Sequence, residues 1–481
     1  MFSALVAPRY PVTGRDPLTA RRHRRRPTAS RWRWAIVYDS SARVSYLIVF
    51  RTSPDVDHMA PLAWKLLEEG ETVHAVMSVG YDVAGDHRLQ LLRAYPGFRL
   101  HELRPAHGDC SRGPRLAGCA RATVPYALWM LRRHRIRLVA VDWGYGLPAG
   151  YDRLRSRAGA AAVARSVGAS LVRGHQAQQP RASFIVAARL LGVSAVCLPH
   201  GLSVKLDLVA NDEIAAVVAA GGLDARDRNR FAAYVLNSEH HRQIHIDHAR
   251  GDPQVMQTWG SLRWAPEWFE VNRRAAPPFR WPGDTRAGLR VLFMVPKWRN
   301  RVDAPAAIEL LRRIQALDGV SLAVMGHPRS SGEDSDPLRG GHGIDWERIH
   351  DVSGLNSVSV IREADVVLDV GSSIGLEVVL QGKVLVNPAY VHEIATLFDA
   401  VPGAAVIAFN ADEVVAYLRA HAAGERHVVS DAARQELLRR AVYGGREPFD
   451  VAALYYRRVS ELASGGLQSA RLRPFARSTE S

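Results

Sequence analysis

The chain has 481 residues, 47% apolar and 23% charged, with 38 glycines and 26 prolines. That composition excludes a disordered, collagen-like or disulfide-scaffold protein, and the length exceeds one ordinary domain. The net charge of +15 sits mainly in the tails: residues 1–34 hold nine arginines against Asp16 alone, and residues 465–481 hold Arg471, Arg473 and Arg477 against Glu480, so basicity is no argument for a nucleic-acid-binding body.

In chain order, residues 1–34 have no apolar period and read as a disordered arginine-rich tail, with neither a signal-peptide core nor the amphipathic period of a transit peptide. SYLIVF (45–50) reads as a buried strand, followed by a helix that Gly70 closes. Strands TVHAVMS (72–78) and FRLHEL (98–103) flank a helix near 86–95. A helical stretch near 120–135 precedes the strand IRLVAVDWG (136–144). SAVCLPHG (194–201), AAYVLNS (232–238) and VMQTWGS (255–261) are further strands. Proline and glycine concentrate in 275–288, read as a linker between a first domain, 35–274, and a second, 289–464. In the second, strands LRVLFMVP (289–296), VSLAVMGHP (320–328), ADVVLDVGSS (364–373), KVLVNP (383–388) and AAVIAF (404–409) alternate with helices. Those helices are placed at 304–316, to about 381, 411–421, 430–441 and 449–463, before a basic tail at 465–481. The βαβα rhythm predicts an α/β fold of two tandem doubly wound domains, with ligands at the carboxyl ends of the strands and a cleft between the domains.

Several negatives narrow the class. No window approaches the ~18 apolar residues of a membrane-spanning helix. Cys110, Cys119 and Cys197 lack metal-ligand spacing, which predicts a reducing compartment and no structural zinc. His240, His241, His245 and His248 read as a surface helix without a metal, Asp334-Ser335-Asp336 as a solvated loop, and Asp55-Val56-Asp57 as the first turn of a helix. No dinucleotide fingerprint, P-loop or nucleophile elbow is present. The basic residues comprise 59 arginines and four lysines, a bias that points to GC-rich, bacterial DNA, and Lys205, Lys297 and Lys383 fall in or beside the motifs below.

Four polar clusters follow predicted strands: His200-Gly201 with Lys205; Lys297-Trp298-Arg299; His327-Pro328-Arg329; and Asp369 with Gly371, Ser372, Ser373 and Glu377. A glycine and two serines that open a helix can hold phosphate on backbone N–H groups and hydroxyls; alternatively a serine there simply caps the helix. Glu377, one turn further, can accept hydrogen bonds from ribose hydroxyls. Arg299 offers a planar cation to a diphosphate and His327 a switchable donor, against the alternatives of a solvated loop residue and a satisfied turn donor. His200 is the candidate general base, against a structural histidine closing a strand. Lys205 and Lys297 are candidate phosphate or acceptor contacts, and no metal or other cofactor is required.

These motifs resemble GT-B transferases, and more narrowly the CDP-glycerol glycerophosphotransferase family that builds teichoic-acid-like polymers. That family's His-Gly-x-x-x-Lys is similar to His200-Gly201-Leu202-Ser203-Val204-Lys205, its Pro-Thr-Trp-Arg to Pro296-Lys297-Trp298-Arg299, and its His-Pro to His327-Pro328. Its aspartate, serine pair and later acid correspond to Asp369, Ser372-Ser373 and Glu377. Lys297 replaces a threonine, one residue is inserted before Ser372, and Gly260-Ser261-Leu262-Arg263-Trp264-Ala265 lacks the carboxylate of the family's Gly-x-Pro-Arg-x-Asp. Capsule-polysaccharide glycosyltransferases and UDP-sugar epimerases share parts of these motifs. The resemblance implies a cytoplasmic enzyme of cell-surface polymer synthesis, peripheral to the membrane, that takes CDP-glycerol, CDP-ribitol or a nucleotide sugar as donor and a polymer or lipid-linked acceptor. Alternatives are a UDP-sugar epimerase of the same fold, or a non-catalytic protein whose basic tail binds anionic polymer, membrane or nucleic acid.

Overall fold

The apolar run Ser45–Phe50 forms the first strand, β1, buried on both faces as its unbroken hydrophobicity requires. The helix Ser53–Glu68 starts at once, because the Asp55 carboxylate accepts hydrogen bonds from the backbone N–H of Arg51 (2.7 Å) and Thr52 (3.3 Å). β2 (Thr72–Met77), β3 (Phe98–Glu102), β4 (Ile136–Asp142), β5 (Ser194–Leu198), β6 (Ala233–Leu236) and β7 (Met256–Thr258) complete a seven-stranded sheet in the order β3-β2-β1-β4-β5-β6-β7. A second sheet is built from β8 (Leu289–Met294), β9 (Val320–Met325), β10 (Ile349–Asp351), β11 (Val366–Asp369), β12 (Val384–Pro388) and β13 (Val406–Ala408), in the order β10-β9-β8-β11-β12-β13. Every strand pair is parallel. The architecture is thus the predicted one, two doubly wound α/β domains in tandem.

The computed structural model describes residues 44–77, 81–103, 124–142, 151–154, 156–172, 179–199, 204, 206, 215–216, 219–220, 226–282, 288–298, 300–326, 337–339, 343–425 and 430–472. These belong to one compact unit. Both sheets run outward on either side of their first strand, so each has a switch point, between β1 and β4 and between β8 and β11. Ligands of doubly wound sheets bind outside the strand carboxyl ends at that point.

Helices cover both faces of each sheet. On one face of the first, Val76 packs with Met130, Leu131 and Phe184; in the second domain Phe293 packs with Leu311 and Val414. The remaining core is continuous across the two domains and joins Ile48, Met59 and Trp264 to Leu376, Phe398 and Tyr455. The last helix, Val451–Leu472, was expected to stay with the second domain. It returns instead to the first: Ser460 Oγ lies 3.2 Å from the Tyr46 hydroxyl, Ser194 Oγ donates to the Leu462 carbonyl (2.9 Å), and the Tyr455 hydroxyl donates to the Gly260 carbonyl (2.9 Å). Among the described residues no helix is long and apolar enough to cross a membrane.

Candidate functional site

The second domain's switch point carries the sequence motifs. β8 runs out at Met294 toward Pro296, Lys297 and Trp298, and β11 ends at Asp369, from which Gly371 turns the chain into the helix Ile374–Leu380. Gly371 has φ +62°, a left-handed conformation that costs a residue with a Cβ about 1–2 kcal/mol. A Cβ there would also lie 3.0 Å from the Thr396 methyl and 3.4 Å from His392 Nε2.

Asp369 closes the start of this helix from within. Its carboxylate accepts the Ser372 N–H (2.9 Å) and the Ser372 hydroxyl (2.6 Å), and the Gly375 N–H bonds to it as well. Burial pushes the Asp369 carboxyl up to about 7, with those hydrogen bonds pulling the other way. Ser372 is therefore engaged by the chain itself, its Oγ also accepting from the Ile374 N–H at 3.2 Å. Ser373 makes no side-chain cap bond, so the plain capping role falls to Ser372 rather than to Ser373.

Glu377, the candidate ribose contact, lies in the interior. It is 1% exposed and accepts a hydrogen bond from Ser357 Oγ (3.0 Å), while the guanidiniums of Arg263 and Arg88 act on it across the domain boundary. Burial raises its carboxyl above the usual range, and Arg263, Ser357 and Arg88 oppose that rise. Arg88 is itself held by Asp57 and Asp86, with Nε 3.0 Å from Asp86 Oδ1, and Arg263 Nη1 lies 3.5 Å from Asp57 Oδ2. Arg263 also lies over the Trp264 ring, 4.2 Å from its centroid. The short turn Leu262-Arg263-Trp264 thus places Arg263 between Asp57 of the first domain and Glu377 of the second.

The first domain's switch point holds a second polar cluster. Asp55 and Asp142 are both 0% exposed; Arg51 pairs with both, and Arg181 Nη1 donates to Asp142 Oδ1 at 2.8 Å. The buried Cys197 thiol donates to the Asp142 carbonyl (3.2 Å). The reading of Asp55 as the opening of a helix holds, but Asp142 and Arg181 carried no motif. Only their position at β4 and the following helix pair reveals them.

His200, Gly201, Lys205, Arg299, His327, Pro328 and Arg329 lie outside the described residues, as do residues 1–34 and Asp334–Asp336, but the backbone around several of them is defined. Leu206 N–H donates to the Ala395 carbonyl (2.9 Å), and Leu397 N–H donates to the Val204 carbonyl (2.8 Å), so the chain on both sides of Lys205 is stitched to the second domain. The loop after β8 is fixed to the same segment: Val302 bridges His392, Asp303 N–H donates to the Val391 carbonyl (2.8 Å), and Glu393 N–H donates to the Arg301 carbonyl (3.3 Å). Residues 391–397 therefore touch Val204 and Leu206 of the first domain, Arg301–Asp303 after β8 and, through His392 and Thr396, the Gly371 turn. Sequence reasoning missed this segment, because it is irregular and has no apolar period. Thr396 within it is 0% exposed, and its N–H and hydroxyl both donate to Asp399 Oδ2 at 2.8 Å.

No protein-family model matches this sequence, and no curated protein matches it. Among solved structures the chain is similar to the UDP-GlcNAc 2-epimerase of Neisseria meningitidis bound to UDP-GlcNAc, with 10% identity, TM-score 0.49, and coverage of 88% of this chain and 100% of that one. It is similar also to a glycosyltransferase of Rickettsia africae (11% identity, TM-score 0.48, 89% and 99% covered) and to MurG of Acinetobacter baumannii (13% identity, TM-score 0.38, 87% and 99% covered). At these identities the likeness transfers no residue roles, and the site rests on this chain's own geometry.

Proposed function

We propose that this chain is a GT-B-like transferase that moves a glycosyl or alditol-phosphate group from a nucleotide-diphosphate donor to an acceptor hydroxyl in cell-surface polymer synthesis. The observation that supports the reading is the segment 391–397, which contacts Val204 and Leu206 of the opposite domain, Arg301–Asp303 and the Gly371 turn, residues beside three of the four motifs. The diphosphate falls to Arg299, His327 and the Ser372-Ser373 turn, with Ser373 the serine whose hydroxyl makes no cap bond. Lys297 and Lys205 serve phosphate or acceptor, and Glu377 is assigned the donor ribose, whose hydroxyls would replace its bond from Ser357. His200 takes the acceptor proton as the acceptor oxygen attacks. With a sugar donor the anomeric carbon–oxygen bond breaks and a nucleoside diphosphate leaves. With an alditol donor the phosphoanhydride breaks and a nucleoside monophosphate leaves. The solved structures named with UDP-GlcNAc favour neither donor here, and a CDP-alditol remains the choice the motif resemblance supports.

One experiment tests binding and chemistry together. CDP or UDP should raise the melting temperature of the isolated protein, because a ligand bound only to the native state stabilises it. Ser373→Ala combined with Arg299→Ala should remove most of that shift. His200→Ala should keep the shift and lose ~10²–10⁴ in turnover. Indifference to every nucleoside diphosphate at millimolar concentration would overturn the donor site; full turnover of His200→Ala would overturn the base.

A further inference from the structure

Three histidines far apart in sequence meet at the edge of the first sheet. His74 lies on β2 and His101 on the edge strand β3; their register partners are Arg99 and Val76, so both histidines project from the same sheet face. His134 follows the helix Val124–Arg133, which packs on that face, and its N–H donates to the Met130 carbonyl (3.0 Å), continuing the last turn. His74 Nδ1 is 3.0 Å from His101 Nε2. The ring centroids lie 4.3 Å apart for His74 and His134, 5.3 Å for His74 and His101, and 5.4 Å for His101 and His134. One ring nitrogen from each residue falls within 4.8 Å of the other two, the one such group among the described residues.

We propose that His74, His101 and His134 form a site for a divalent transition metal of the zinc or cobalt type, which clamps the edge strand β3 to the end of the helix Val124–Arg133. Tetrahedral coordination at ~2.0–2.1 Å sets ligand nitrogens roughly 3.4 Å apart. His74 and His101 are within about half an ångström of that spacing. His134 sits half-buried at a helix end, where rotation of its side chain brings it in. Three neutral imidazoles with no carboxylate or thiolate select zinc, cobalt, nickel or copper over magnesium and calcium. Burial lowers the affinity of all three rings for a proton. Arg99 and Arg133 act on the cluster and disfavour added positive charge, which sets the affinity below that of a site with an anionic ligand. The Arg99 guanidinium is turned to the carbonyls of Pro96 (2.6 Å) and Phe98 (2.9 Å). The sequence reading expected no metal and singled out none of these histidines, which lie 27 and 33 residues apart; the β2–β3 register and the helix end bring them together.

The test uses the untagged full-length chain. After incubation with zinc and desalting, elemental analysis should find about one equivalent per chain, and cobalt titration should give the visible bands of a tetrahedral site. His101→Gln and His134→Gln should each weaken binding at least about tenfold, the scale that even outer-shell losses reach. His241→Gln, in the histidine-rich helix Glu239–Ala249, should leave it unchanged. His134→Gln is the safer variant for folding, since His134 is half-buried at a helix end. The proposal is overturned if the desalted protein carries no zinc, if both cluster variants retain it, or if it is lost with His241.

Discussion

Asp369 shows how one residue can both build and tune the candidate site. Its carboxyl is buried and raised to about 7, whereas an unfolded chain would return it to the ordinary 3.8. Between those values the native state holds the extra proton, so this group's contribution to stability falls as pH rises from about 4 to about 7 and is flat above. The full effect is on the order of 4 kcal/mol. Asp369→Asn keeps an acceptor for Ser372 but has no proton to lose. Urea denaturation at pH 4.5 and 7.5 should show the wild type losing ground to the variant as pH rises. Parallel pH profiles for the two proteins would show that the helix-start hydrogen bonds, not burial, govern this carboxyl.

At the scale of elements, the clearest test is the Gly371 turn between β11 and its helix. Gly371→Ala should cost ~1–2 kcal/mol for the left-handed backbone, and more because the new methyl meets Thr396 at 3.0 Å. Gly382 is a matched control: it has φ +69° and open space around an added Cβ, so Gly382→Ala should show the backbone cost alone. Equal destabilisation of the two variants would mean that residues 391–397 do not press on the turn. Most strands were legible because parallel strands buried on both faces read as unbroken apolar runs: SYLIVF coincides with β1, and KVLVNP (383–388) contains β12. The edge strand β10 was not, since three residues, Ile349–Asp351, carry no period. The helices Arg157–Val172 and Gln179–Leu191 were also missed; the first is alanine-rich and weakly amphipathic, so it lacks the polar and apolar faces that announce a helix.

Across the whole molecule, the contacts that tie segments beside the motifs to one another are long-range, and no local pattern encodes them. The 391–397 segment and the Arg88–Arg263–Glu377 cluster both join residues more than a hundred positions apart. In the cluster, three carboxylates (Asp57, Asp86 and Glu377) face two guanidiniums; burial raises Glu377, and Arg263 and Arg88 oppose that rise. Removing one member of a buried ionic group typically costs ~3–5 kcal/mol, because the partner is stranded. Here Asp57 and Asp86 remain to hold the arginines, so Glu377→Gln, which keeps an acceptor for Ser357, should cost less than Arg263→Met. Arg263→Met leaves Asp57 and Glu377 to share Arg88 alone and also gives up the contact over Trp264. If Glu377 and Arg263 couple the two domains, the double variant should be less destabilised than the sum of the singles by ~0.5–3 kcal/mol. Chemical denaturation of the four proteins of the cycle measures that difference. Strict additivity would mean that the domains are held by the shared apolar core and the returning C-terminal helix alone, with Glu377 serving only the site.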